Sequence, residues 1–189
     1  MGKISLGAAT FLYPMPTVIV GADVQGKPNY VTVAYCGIVH DPPPMISIAL
    51  AKKHYTNIGI RETHSFSVNI PPAGLVRETD YCGLVSGRDA DKGRLFTTFY
   101  GKVGAPMIEE CPLNLECKVV KVIELSDVKE LFIAEIIEVF TEEEYLTDGL
   151  VDIKKIDPFV FSIHDRGYWQ VGNYLGKAFS IGKELKDEE

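Results

Sequence analysis

Asn29, Thr32 and Tyr35 fall on one predicted strand, and Lys52-Lys53-His54-Tyr55-Thr56 stands where a second strand ends. This set of side chains suits a flat aromatic ligand with an anionic tail. Backbone amides and the Asn29 amide can hydrogen-bond ring carbonyls and nitrogens, and Tyr35 offers an aromatic face or edge. A helix starting at Thr56, with basic residues just before it, can receive a phosphate. The first N–H groups of a helix lack intrahelical partners and carry the positive end of its dipole. The same residues also read as an ordinary hairpin followed by a capped helix with a solvated basic turn, and spacing alone leaves both readings open.

Other chemistry-bearing patterns fail on their spacing. Gly172-Asn173-Tyr174-Leu175-Gly176-Lys177-Ala178 is one residue short of a phosphate-binding loop and lacks its hydroxyl, so it is read as packing a chain end against the rest of the fold. Gly83-Leu84-Val85-Ser86-Gly87 is not a nucleophile elbow. His40, His54, His64 and His164 form no H-E-x-x-H pair, and no metal site is expected. His164-Asp165 are an acid–base couple in type, but neighbours on a strand point apart. None of Cys36, Cys82, Cys111 and Cys117 forms C-x-x-C; they read as buried free thiols, with a small loop closed by Cys111 and Cys117 as the alternative. A chain without a nucleophile or metal motif often takes its chemistry from a cofactor.

The elements that must position these residues are mostly strands. Thr17–Val20 is short and β-branched, Asp23–Pro28 reads as a turn, and Tyr30–Val39 is rich in strand formers until Pro42. Met45–Ala51 reads as a central strand, and Thr56 as the N-cap of a short helix. Ser65–Ile70 alternates, and Leu75–Val85 predicts a helix with Leu75, Val76, Thr79 and Cys82 on one face. Gly87–Gly93 is a polar loop. In a further strand from Asn114, Leu115, Cys117 and Val119 alternate with Glu116 and Lys118, and Leu131–Phe140 runs back. Glu142–Glu144 is a solvated edge, Pro158–Ile163 a last strand, and the tail Lys183–Glu189 frays. Six or seven strands with short returns predict a mainly β fold, a β-barrel with helical excursions.

The 189 residues are 46% hydrophobic and 24% charged, the balance of a globular chain, and one domain over 1–189 is expected. A formal net charge of -7 excludes a broad nucleic-acid face and disfavours an anionic membrane surface. No apolar run nears the ~18 residues of a membrane helix. The start, Met1 to Leu6, has no signal-peptide core, so a soluble cytoplasmic protein is expected.

Asn29-Tyr30-Val31-Thr32-Val33-Ala34-Tyr35, Asp41-Pro42-Pro43, Tyr55-Thr56-Asn57-Ile58 and Phe66-Ser67-Val68-Asn69 together resemble the flavin-reductase-like family. Ser86-Gly87-Arg88-Asp89-Ala90-Asp91-Lys92 and Glu110-Cys111-Pro112-Leu113-Asn114-Leu115-Glu116-Cys117 resemble its flavoredoxin branch, and the match runs from about Pro16 to Gly172. The resemblance implies an FMN-binding split barrel, a homodimer and non-covalent FMN. Some members use NAD(P)H to reduce a flavin or ferric complexes; others pass electrons between protein partners. It implies cofactor contacts from Asn29, Thr32, Val33, Ala34, Tyr35, Ala51, Lys53, Tyr55, Thr56, Lys92 and Trp169. Asn29 matches a position near the ring, Thr56 a phosphate-binding hydroxyl, and Lys92 a basic residue that reaches the cofactor. Tyr35 stands where relatives often carry Trp. Relatives often show Gly-Asp-His-Thr where this chain has Asp127-Val128-Lys129-Glu130, so Lys129 replaces the His. Tyr168-Trp169 followed by Val171-Gly172 resembles a closing motif whose aromatics cover the flavin, cover a dimer seam, or simply pack.

The leading expectation is therefore an FMN-dependent NAD(P)H oxidoreductase. The alternatives are an FMN electron-transfer protein without its own nicotinamide activity, and a cofactor-free barrel that serves as an interaction module. FMN is expected over FAD, since the phosphate corner from Lys53 to Thr56 is compact and no dinucleotide fingerprint occurs.

Overall fold

The computed structural model describes residues 2–186. Its strands are β1 (Met15–Pro16), β2 (Val18–Val24), β3 (Lys27–Val33), β4 (Cys36–His40), β5 (Met45–Ala51), β6 (Ser65–Ile70), β7 (Thr98–Tyr100), β8 (Pro106–Ile108), β9 (Leu113–Glu124), β10 (Lys129–Phe140), β11 (Leu146–Thr147), β12 (Leu150–Val151), β13 (Phe159–Ser162) and β14 (Gly167–Gln170). The α-helices are α1 (Thr56–Thr63), α2 (Val76–Leu84) and α3 (Ile153–Ile156).

Seven strands form one antiparallel sheet in the order β3-β2-β6-β9-β10-β5-β4. β3 and β4 are the two edges of this sheet yet are joined only by Ala34-Tyr35, so the sheet curls until its edges come together. Val31 and Val33 of β3 then share one core with Ile46, Ile48 and Leu50 of β5, Phe66 and Val68 of β6, and Phe132 of β10. This is the expected mainly β split barrel. Strand alternation builds its inside: in β5 the large residues Ile46, Ile48 and Leu50 are buried, while Met45, Ser47, Ala49 and Ala51 on the other face are half-buried. Helix α1 contributes Ile60 to the same core. Gly59 permits its close approach to β2, because a Cβ there would collide with the Asp23 carbonyl.

A second core lies outside the barrel. Ile19 of β2 and Tyr30 of β3 pack there with Cys82 of α2, Phe96, Ile108 and Cys111. Cys117 belongs to the barrel core instead, and all four cysteines are free, so no loop is closed between Cys111 and Cys117. β1, β13 and β14 make a separate small sheet.

Several sequence expectations are corrected. Tyr30–Val39 is not one strand: β3 stops at Val33 and β4 starts at Cys36, with Ala34 and Tyr35 in the crossing where the barrel closes. The turn expected at Asp23–Pro28 is only Gln25-Gly26, both at positive φ, as a two-residue hairpin requires; Asp23 pairs with Pro28 in the ladder, and β3 as an edge strand tolerates that proline. Thr56 is the first helical residue rather than the cap, for Tyr55 precedes it with helical angles and no side-chain cap bond is made. Glu116 is fully buried although it alternates with core residues. The 101–105 loop folds over it, and its carboxylate accepts from the N–H groups of Lys102 at 2.7 Å and Val103 at 2.8 Å. Gly172–Ala178 does not pack against the barrel: Tyr174 and Leu175 are 71% and 89% exposed. Of the tail expected to fray, Ile181–Lys186 forms a 3-10 turn and residues 187–189 lie outside the described residues.

Candidate functional site

Two hollows lie near β5, one lined by the strand itself and one by the residues that follow it. The first, about 470 Å³, is lined by Val31, by Lys53 to Thr56, by Cys82 to Arg88 and by Lys92. One wall is the entry to α1, the other the end of α2 with the turn after it. It holds Lys53, His54, Arg88 and Lys92 and no carboxylate, in a chain of formal net charge -7. Concentrated positive charge in a concave, partly dry site favours an anionic ligand.

The polar groups of this cavity are placed by contacts behind it. The Asn29 amide, buried on β3, donates to the Thr56 hydroxyl oxygen at 2.7 Å, which leaves the hydroxyl proton free to donate elsewhere. Asn57 donates to the Ala51 carbonyl at 3.2 Å and to the buried Glu130 at 2.6 Å, and Arg61 pairs with the same carboxylate. These bonds fix the start of α1 to β5 and β10. Arg88 donates to the Lys53 carbonyl at 3.0 Å, and its guanidinium lies 5.1 Å from the Tyr55 ring centroid. Gly87 makes the tight turn possible, since a Cβ there would overlap the Asn29 and Tyr55 side chains. His54 Nδ1 is buried without a hydrogen-bond partner among the described residues. Burial, with Lys53, Lys92 and Lys129 adding to it, lowers the His54 pKa below its ordinary value of 6.5.

The second hollow, about 580 Å³, is apolar. Ser47 and Ala49 of β5, with Ala34, form a floor of small side chains; Tyr35, Leu131 and the arm around Phe11 rise around it. A planar ligand can approach the backbone closely where side chains stop at Cβ. Ala51, next on the same face of β5, lines neither hollow, and Lys53 just beyond β5 enters the basic cavity. Such a shape, mostly apolar with a few convergent polar groups, is that of a small-molecule site.

The expected residues distribute as follows. Lys53, Tyr55, Thr56 and Lys92 line the basic cavity, and Ala34 and Tyr35 the apolar hollow; Asn29 supports Thr56 from behind. Tyr35 lies in the crossing and not on one strand with Asn29 and Thr32. The Thr32 hydroxyl is occupied by the Thr79 carbonyl of α2. Val33 points into the barrel core, so only its backbone is available. Lys92 reaches the cavity, but its ammonium donates to the Cys82 and Val85 carbonyls at 3.1 and 3.0 Å. Burial lowers its pKa. Trp169 lines neither hollow; it sits on β14, 59% exposed, with its indole N–H donating to Ser162 at 2.9 Å. His164 and Asp165 do not pair: His164 stacks on Phe11 at 3.7 Å, and Asp165 accepts from Ser162. Arg88 gained no site role from sequence, although it stands in a motif quoted above, and His54 entered only as one of the residues before Thr56. The readable signal for the floor was the small outward set Ser47, Ala49 and Ala51 opposite Ile46, Ile48 and Leu50.

Residues 10–157 match the family described as the flavin reductase like domain, and the chain belongs to that family. Within it the chain falls in the flavoredoxin branch. It is 47% identical to a flavoredoxin from Methanosarcina acetivorans, with a TM-score of 0.94 and 98% of this chain and 100% of that one covered. It is 40% identical to the flavoredoxin of Desulfovibrio vulgaris (Miyazaki F), with a TM-score of 0.90 and coverage of 96% and 100%. An uncharacterized protein of Archaeoglobus fulgidus is 34% identical over 146 residues, 76% of this chain and 81% of that protein. The resemblance drawn from the motifs is borne out, and membership supports a flavin oxidoreductase type of function. Among the described residues no helix is long and apolar enough to cross a membrane, and no cluster of His, Cys, Asp and Glu could hold a metal ion.

Proposed function

We propose that this chain binds FMN, with the ring over the small-residue floor and the phosphate in the basic cavity, and moves electrons from NAD(P)H to a flavin, a ferric complex or a protein acceptor. The observation that carries this reading is the carboxylate-free basic cavity at the start of α1, which opens two residues beyond β5, the strand whose Ser47 and Ala49 line an apolar hollow. The donors available for a phosphate are the Thr56 hydroxyl and the Lys53 and Arg88 side chains, since the Asn57 and Ile58 N–H groups already donate to the His54 and Tyr55 carbonyls. When bound, FMN supplies the hydride and electron chemistry. The chain's own part is to bind, orient and exclude water. Tyr35, Leu131 and the Phe11 arm shield the floor, and the neutral His54 imidazole offers an unpaired Nδ1.

FMN is favoured over FAD by the compact phosphate corner and by the lack of a dinucleotide fingerprint. The protein is proposed to work as one split-barrel domain in a cytoplasmic homodimer. A second reading, an FMN electron carrier without its own nicotinamide activity, is supported by the 47% and 40% identity to two flavoredoxins. Anaerobic mixing with NADH and with NADPH separates the two. Bleaching of the bound flavin within seconds by either nucleotide supports the enzyme; no bleaching by either, with rapid bleaching by dithionite, supports the carrier.

A further inference from the structure

Lys129 opens β10 at the β5–β10 seam, beside the end of β5 where the chain passes from the apolar hollow to the basic cavity. Its register partner on β5 is Ala51, and Leu131, two residues on, pairs with Ala49. Residues two apart on a strand share a face, so Lys129 stands on the same face as the floor of the apolar hollow. Its ammonium lies 4.0 Å from the centroid of the Tyr35 ring. The Tyr35 carbonyl accepts from Ala49, so the ring that holds the ammonium is tied to the floor itself. None of the ion pairs among the described residues includes Lys129. Its charge is felt across the seam, where it is one of the cations acting on His54. A ring-held lysine can also be a simple clamp across a barrel seam. What sets this one apart is a charge with no ion-pair partner among the described residues, on the strand face that carries the small side chains of the floor.

We propose that Lys129 is a potential-setting residue: its ammonium favours reduced over oxidised flavin at this site. The inference rests on the FMN reading above. Two electrons and one proton, delivered as the hydride of NAD(P)H, leave the reduced ring one negative charge richer than the oxidised ring. A fixed cation close by stabilises that added charge and does little for the neutral oxidised ring.

The test titrates apo-protein anaerobically with FMN and with dithionite-reduced FMN, in the wild type, Lys129→Met, Lys129→Gln and Lys129→Arg, at low and at high salt. In Lys129→Met and Lys129→Gln the preference for reduced FMN should fall about tenfold, equal to a midpoint potential lower by about 30 mV for a two-electron couple. Lys129→Arg should stay within about threefold of wild type, and the loss in the neutral variants should shrink at high salt. A ratio of affinities unchanged within twofold in both neutral variants overturns the inference, even where both forms bind more weakly. A wild type that binds neither form overturns the FMN reading and this inference with it. A wild type that binds both, with variants that keep its ratio, overturns this inference alone.

Discussion

The Lys92 ammonium donates to the carbonyls of Cys82 and Val85 at the end of α2, and only 3% of the residue is exposed. A cation there complements the negative end of the helix dipole. Lys92→Met should lower the stability of the apo-protein by about 1–3 kcal/mol, read from urea unfolding, because two carbonyls lose their partner in a buried place. A role in binding alone, as the sequence suggested, would leave the apo-protein unchanged. His54 gives a pH dependence. Burial, then Lys53, Lys92 and Lys129, lowers its folded pKa below 6.5. As pH falls below 6.5 the unfolded chain takes up the proton first, so stability drops until the pH passes the folded value, where the loss levels off. His54→Gln should flatten that part of the thermal-transition profile; an unchanged slope contradicts the assignment. Residue types at the site were legible because amides, hydroxyls and cations announce their chemistry. Which of them face the ligand was not: Thr32 and Lys92 find backbone carbonyls only after α2 has docked.

Helix α1 and strand β10 are clasped by the buried Glu130, which receives Asn57 and Arg61 from one turn of the helix. Glu130→Ala should destabilise the fold by about 1.5–3 kcal/mol in denaturant unfolding, the range of hydrogen bonds to a charged group. It should also weaken FMN binding, because the start of α1 loses its tie to the barrel. Stability equal to wild type would remove the clasp. Met45–Ala51, read as a short apolar run, and Ser65–Ile70, read from its alternation, were placed from sequence at their observed bounds, although both faces of Ser65–Ile70 are buried. The break at Ala34-Tyr35 left no such trace. The run from Tyr30 to Val39 keeps its strand-forming residues, and the corner is imposed by closure of the barrel onto Ala49. Glu116 misleads for the same kind of reason: the loop that precedes the strand folds back over the face that alternation assigns to water.

Across the whole molecule, apolar residues remain uncovered on one sheet edge and on the tail. Ile38 and Val39 on edge strand β4 are 64% and 50% exposed, Leu175 is 89% exposed and Phe179 fully so. Uncovered apolar surface of this kind marks association, and closed two-fold symmetry is its commonest form. Light scattering should give twice the chain mass, and a monomer with flavin fully bound would contradict it. If the basic cavity holds a phosphate and the small residues of β5 face a ring, apo-protein titrated with FMN and with riboflavin, which share the ring and differ in the phosphate, must tell the two apart. FMN should bind with about one-to-one stoichiometry and at least about tenfold more tightly than riboflavin, since charge-assisted hydrogen bonds contribute about 1.5–3 kcal/mol each. Equal affinity for the two, or no binding of either, would contradict that arrangement.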